Sequence, residues 1–75
     1  MTDYPWRDKW AWNDQAKKWW IVTGIGYVWA EVTDHTWRTI DMVDGKGRFF
    51  YSCNSAEEGK RLATARLDDI FKELQ

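Results

Sequence analysis

Beyond Ser55 the chain repeats apolar or small residues at spacings of three and four: Ala56, Gly59, Ala63, Leu67, Ile70 and Leu74, with Phe71 at the edge of the stripe. This period predicts one amphipathic helix over 55–74. Ser55-Ala56-Glu57-Glu58 fits a capping box that starts the helix at Ala56: the Ser55 hydroxyl accepts from the amide of Glu58, and Glu58 reaches back to the amide of residue 55. Small residues fill the first half of the stripe and large ones the second, so the helix should approach its neighbour closely at its start. Gly59 costs about 1 kcal/mol of helix propensity relative to Ala, which predicts a bulky Trp or Tyr ring from the sheet pressed against it. Glu57, Glu58, Lys60, Arg61, Asp68, Asp69 and Lys72 form the opposite, solvated face.

Between residues 18 and 53 the period changes to two. Lys18 to Thr23 is rich in aromatic and β-branched residues, Gly24-Ile25-Gly26 marks a turn, and Tyr27 to Val32 is a second strand. Thr33-Asp34-His35 turns again, Trp37 to Met42 is a third strand, Asp44-Gly45-Lys46-Gly47 signals a hairpin, and Arg48 to Ser52 is the last strand. The expected fold is α+β: an antiparallel β-meander of about three to five strands packed against one C-terminal helix.

Alternation assigns faces. Val28, Ala30, Val32, Ile40, Met42, Phe49 and Tyr51 are expected to meet the helix, with Arg38 on the side of Ile40 and Met42. The opposite face then carries Tyr27, Trp29, Glu31, Trp37, Thr39, Asp41, Arg48 and Phe50, a mixture of rings and charges that suits an interface. A slip of one residue exchanges the faces.

Residues 1–17 hold Trp6, Trp10 and Trp12 among charged residues, and Tyr4-Pro5 disfavours helix at the start. Either Lys9 to Trp12 is an extra strand that turns at Asn13-Asp14 and pairs with Trp19 to Val22, or residues 6–17 form a short helix. In both cases the segment either folds over the open sheet face and buries its rings or leaves Trp6, Trp10 and Trp12 exposed. The layout read from sequence is a single domain over 1–75, with a Trp-rich segment at 1–17, the sheet at 18–53 and the helix at 55–74.

Composition sharpens this picture. Seven tryptophans in 75 residues exceed what one small core is expected to hide, and exposed Trp concentrates at binding interfaces. A chain of this length buries only about 60% of its unfolded surface. With 11 Lys plus Arg against 12 Asp plus Glu the net charge is -1, and no basic block is present to neutralise a run of phosphates. The acids Glu31, Asp34, Asp41 and Asp44 could at most imitate a short phosphate run at one end of the sheet. The lone Cys53 cannot make an internal disulfide, no signal peptide or membrane span is apparent, and the chain opens Met-Thr-Asp. These features lead to the expectation of a complete cytoplasmic protein without membrane partners.

Chemistry is sparse. His35, the sole histidine, falls in a turn, so a histidine metal cluster or Ser-His-Asp constellation lacks its parts. Cys53 ends a strand on the core side and reads as an inert buried thiol. Glu31, Asp41 and Asp44 lack an apolar pocket that would tune them for acid/base work. Gly24-Ile25-Gly26 and Gly45-Lys46-Gly47 are turns, too short for a phosphate loop. No catalytic residue, metal or cofactor is expected.

The junction in which Gly47-Arg48-Phe49-Phe50-Tyr51 runs into Ser-Ala-Glu-Glu-Gly-Lys resembles small Trp-rich proteins of bacteriophages and prophages, over roughly residues 27–65. Some phage proteins of this size and build are anti-CRISPR inhibitors, which bind a Cas surface and block DNA access without catalysis. The resemblance implies a stoichiometric inhibitor of a host defence complex such as a CRISPR effector, acting in the host cytoplasm, and it transfers no functional residue. On the residues alone, the binding surface is expected at Tyr27, Trp29, Glu31, Trp37, Asp41, Arg48 and Phe50, with Trp29 and Trp37 removable without unfolding. The alternatives are single-stranded nucleic acid stacked on the sheet aromatics, with Lys17, Lys18, Arg38, Lys46 and Arg48 near its backbone, or a homodimer in place of a monomer.

Overall fold

The computed structural model describes residues 9–22 and 27–74, with side chains through Lys72. Trp6, the Gly24-Ile25-Gly26 turn and the Leu74 side chain lie outside the described residues. Among the described residues seven strands precede one helix: β1 (Ala11–Asn13), β2 (Lys18–Val22), β3 (Val28–Val32), β4 (Thr36–Thr39), β5 (Val43–Asp44), β6 (Gly47–Arg48), β7 (Tyr51–Ser52) and α1 (Ala56–Leu74). Five of them form an antiparallel sheet in the order β1-β2-β3-β4-β7, and β5 and β6 form a separate hairpin. The fold is α+β, a meander with one helix on one side.

The N-terminal segment follows the strand reading. Ala11 to Asn13 pair with Trp20 to Lys18, and Asn13 Oδ1 accepts the amides of Gln15 and Ala16 at 3.1 and 3.2 Å to close the turn. Lys17 completes it in the left-handed region at φ 56°. Trp10 and Trp12 do not fold over the open face of the sheet. Trp12 faces Trp19 across the pair, with ring centroids 5.5 Å apart, and Trp10 packs against the helix-side core, its Nε1 donating to Thr64 Oγ1 at 3.4 Å.

The expected third strand is shorter than Trp37 to Met42. It stops at Thr39, and a turn through Ile40 and Asp41 diverts the chain into the β5–β6 hairpin. There the Asp44 carboxylate accepts the Lys46 amide at 2.8 Å, and Gly47 sits at φ 123°, where a side chain would be strained. The predicted last strand is divided accordingly. Gly47–Arg48 pairs with β5, while Tyr51–Ser52 pairs with β4.

The core lies between the sheet and α1. Ile21, Ala30, Val32, Ala63 and Leu67 are buried, and Trp10, Trp19, Trp29, Trp37, Ala56, Ile70 and Phe71 pack around them. The small half of the helix stripe therefore lets the backbone come close, as the sequence predicts. At Gly59, however, no ring fills the gap. A Cβ there would lie 2.7 Å from Val32 Cγ1, 3.1 Å from Cys53 Sγ and 3.5 Å from the Trp37 Cβ, so the contact is made by stiff branches beside the ring. The cap is also shifted by one residue. Ser55 Oγ accepts from the Glu58 amide at 3.1 Å, but Glu58 Oε1 accepts from Asn54 at 3.1 Å instead of residue 55.

Gly59→Ala should therefore lower stability by about 1–2 kcal/mol in chemical denaturation, overpacking outweighing the gain in helix propensity. In a Val32→Ala background the same change should cost little or stabilise, because the clashing methyl is gone. A wild-type chain stabilised by Gly59→Ala would show that the helix does not seat this closely.

Candidate functional site

Register fixes which side chains share a face. Trp19, Val32 and Trp37 are consecutive cross-strand partners, as are Trp20, Glu31 and Arg38. Gly59 of the helix meets both Val32 and Trp37, so the first row is the helix side and the second is the outer face. Strand β4 is thus turned opposite to the expectation. Trp37, Thr39 and Asp41 look toward the helix, and Arg38 and Ile40 look away.

Strand β3 contains an irregularity that breaks its alternation. Ile21 pairs with Ala30 but Val22 pairs with Val28, leaving Trp29 as an extra residue. Such a bulge re-aims side chains. Trp29 packs against the core, its ring 5.0 Å from that of Phe71 on α1. Val28, expected at the helix, lines a cavity with Arg38 instead.

The centre of the outer face is an ion network. Glu31 and Arg38 are only 3% and 2% exposed. One Glu31 oxygen accepts from Lys18 Nζ and the other from Arg38 Nε, while Arg38 Nη1 donates to the Thr39 carbonyl at 3.2 Å. Burial alone would raise the Glu31 pKa, but hydrogen bonds from Lys18 and Arg38 and their charges outweigh it and hold the carboxyl below its usual value. The Phe50 ring lies 5.9 Å from the Arg38 guanidinium carbon.

Beside this network Tyr27, Val28, Arg38, Ile40, Val43 and Arg48 line a cavity of roughly 280 Å³. Around it large apolar side chains remain open to solvent: Tyr27 is 62% exposed, Val43 55%, Phe50 48% and Ile40 42%. The Arg48 side chain, on the hairpin, makes no ion pair or hydrogen bond with any described residue. Rings, branched aliphatics and a cation on one surface suit recognition of another molecule.

Of the seven side chains predicted to form a binding surface, Tyr27 and Arg48 line this cavity and Phe50 lies over Arg38 beside it. The other four do not line it. Trp29 and Trp37 belong to the helix-side packing, and Glu31 is consumed by its two cations. Asp41 accepts from Thr39 Oγ1 and, at 3.0 Å, from Arg66 Nε on the helix. Burial would raise the Asp41 pKa, but these hydrogen bonds and the Arg66 charge lower it. Of the four acids expected at that end of the sheet, Glu31 is buried and Asp41 is paired, while Asp34 and Asp44 stay exposed. Sequence reasoning missed Ile40 and Val43, both displayed where the chain leaves the sheet for the hairpin, and Arg38. The trace that could have revealed Arg38 is the opposite charge of Lys18, Glu31 and Arg38 on adjacent strands.

On the helix side, four tryptophans serve packing, and Lys60 is drawn out of the solvated face to lie 3.5 Å from the centroid of the Trp19 ring. Met42, expected there, is buried outside that core cluster, and Tyr51 sets its ring 5.3 Å from that of Trp37 in a tilted contact while staying half exposed. Among the described tryptophans only Trp12 is largely open, at 48%. His35 lies in an exposed bend, and Cys53 is buried with its thiol pushed up by desolvation, which leaves little thiolate for chemistry. Among the described residues no group of three His, Cys, Asp or Glu side chains could hold a metal ion. No helix there is long and apolar enough to cross a membrane.

Glu31→Gln should cost about 3 kcal/mol or more, because two cations lose their shared charge and Arg38 stays buried. The lowered Glu31 pKa also fixes the sign of the pH effect. Its contribution is complete above the unfolded value near 4.5 and is lost as pH falls through the lower folded value. Denaturation curves below pH 4.5 should therefore be steeper for the wild type than for Glu31→Gln. Parallel curves would show that Glu31 titrates alike in both states.

Comparison of the chain with family models, curated proteins and solved structures gives no match, so the use of this surface has to be inferred from its own geometry.

Proposed function

We propose that this chain is a non-enzymatic binding module that engages a protein partner through the outer face of its sheet. The observation that carries the reading is the open cluster of Tyr27, Ile40, Val43 and Phe50 around Arg38 and Arg48, on the face that the helix does not occupy. The buried Glu31–Arg38 pair beside it fixes Arg38 within the sheet. The narrower reading, a phage-type inhibitor of a host defence complex such as a CRISPR effector, draws only on the likeness of the sheet-to-helix junction.

Single-stranded nucleic acid fits less well. Of the five cations assigned to its backbone, Lys17 is paired with Asp14, and Lys18 and Arg38 share Glu31. Lys46 and Arg48 remain, too few for the multiple phosphate contacts that give such binding its affinity.

The test is capture from nuclease-treated bacterial lysate by the wild type, Ile40→Asp, Val43→Asp and Trp12→Ala, with near-ultraviolet circular dichroism to confirm folding. The two aspartate variants should lose the captured protein at least tenfold while Trp12→Ala keeps it. Trp29→Ala and Trp37→Ala do not serve here, since truncating these packed rings should destabilise the fold by about 3 kcal/mol. Equal capture by all variants would remove the outer face as the interface. A concentration-dependent dimer broken by Ile40→Asp would assign the face to self-association.

A further inference from the structure

Resting on this reading of the outer face, we propose that its cavity receives an acidic side chain of the partner protein, presented next to an apolar one. The charge count leads there. Among the described residues Lys18 and Arg38 share the single carboxylate of Glu31, so the network beneath the cavity carries one uncompensated positive charge. Arg48 adds a second, with no described residue to pair its side chain.

Among the described residues no acid lines the cavity. Of the acids closest in sequence, Asp41 is ion-paired with Arg66, and Asp44, which accepts the Lys46 amide, makes no ion pair with Arg48. The remaining described walls are Tyr27, Val28, Ile40 and Val43, whose apolar surface strengthens the attraction of a carboxylate for Arg48. An arginine fork can hold such a group through two parallel hydrogen bonds.

Size and spacing define the occupant further. A volume of roughly 280 Å³ falls just below the range of about 300–1,000 Å³ typical of small-molecule sites. It suits one or two side chains of a polypeptide. Val43 and Arg48 are cross-strand partners in the β5–β6 hairpin, so the apolar contact and the cation are held side by side. A ligand that places a carboxylate beside a leucine- or phenylalanine-like group matches both.

The experiment uses the full ¹⁵N-labelled chain and two blocked tetrapeptides, acetyl-Leu-Asp-Phe-Leu-amide and its Asp→Asn counterpart. The acidic peptide should shift the amides of Ile40, Val43 and Arg48, and the amide peptide should bind about tenfold more weakly. Arg48→Gln should abolish that preference without disturbing the remaining spectrum. Equal binding of the two peptides at these amides would overturn the carboxylate while leaving the outer face as an interface. No shift there at millimolar peptide would overturn the proposal too, and the lysate capture by Ile40→Asp and Val43→Asp separately decides the interface. Tighter binding of N-acetylleucine than of the acidic peptide would give the cavity to small carboxylates and overturn the assignment to a protein segment.

Discussion

A carboxylate removed from water between two cations sets the register of the sheet. Glu31 can be buried only if Lys18 on β2 and Arg38 on β4 both reach it, and they do so only in the observed pairing. Sliding either neighbour by one residue would turn its cation to the helix side and leave Glu31 short of a partner, at a cost of several kcal/mol. A slip would also swing Trp19 or Trp37 out of the core. The ion network and the aromatic packing thus enforce one register from opposite sides of the same strands.

With that register set, the helix side becomes an aromatic wall. Trp19 and Trp37 flank Val32, and the bulge at Trp29 adds a third ring from a position that simple alternation would point outward. Rings this wide hold a helix away from a sheet unless the helix presents small residues. Gly59 and Ala63 meet that need, letting Val32 and Cys53 reach the helix backbone between the rings. The large residues Leu67, Ile70 and Phe71 then close the wider end. Most of the tryptophans are accounted for by this geometry, in which a small domain builds a core from a few very large side chains.

The helix, its start at Ala56, its core stripe, the meander order and the Asp44 turn could all be read from sequence, because each depends on contacts within a few residues. The faces of β4 could not. Arg38-Ile40-Met42 appears more apolar than Trp37-Thr39-Asp41, yet the deciding facts are nonlocal: a carboxylate on β3 awaits Arg38, and Arg66 on the helix awaits Asp41. The Trp29 bulge was equally hidden, since nothing in Val28-Trp29-Ala30 marks an extra residue. These two errors moved Trp29 and Trp37 onto a surface they do not occupy. Tyr27 and Arg48 line the cavity with Arg38, and Phe50 lies over Arg38, but alternation is not the cause: the bulge brings Val28 to the same cavity, Arg48 sits in the separate hairpin, and Phe50 lies between strands.

What remains exposed on the outer face follows from the same constraints. The sheet has one helix to cover it, and the helix covers the side with the larger rings. The other side is made compatible with water at its centre by ionic side chains, whereas its margin, where β4 breaks into the β5–β6 hairpin, displays Ile40, Val43 and Tyr27. A hairpin of two residues per strand contributes almost nothing to the core and costs backbone entropy to order. Its turn is nonetheless well built, with an Asp44 side-chain bond and a glycine in a conformation closed to other residues. The hairpin holds Val43 and Arg48 side by side at the edge of the cavity.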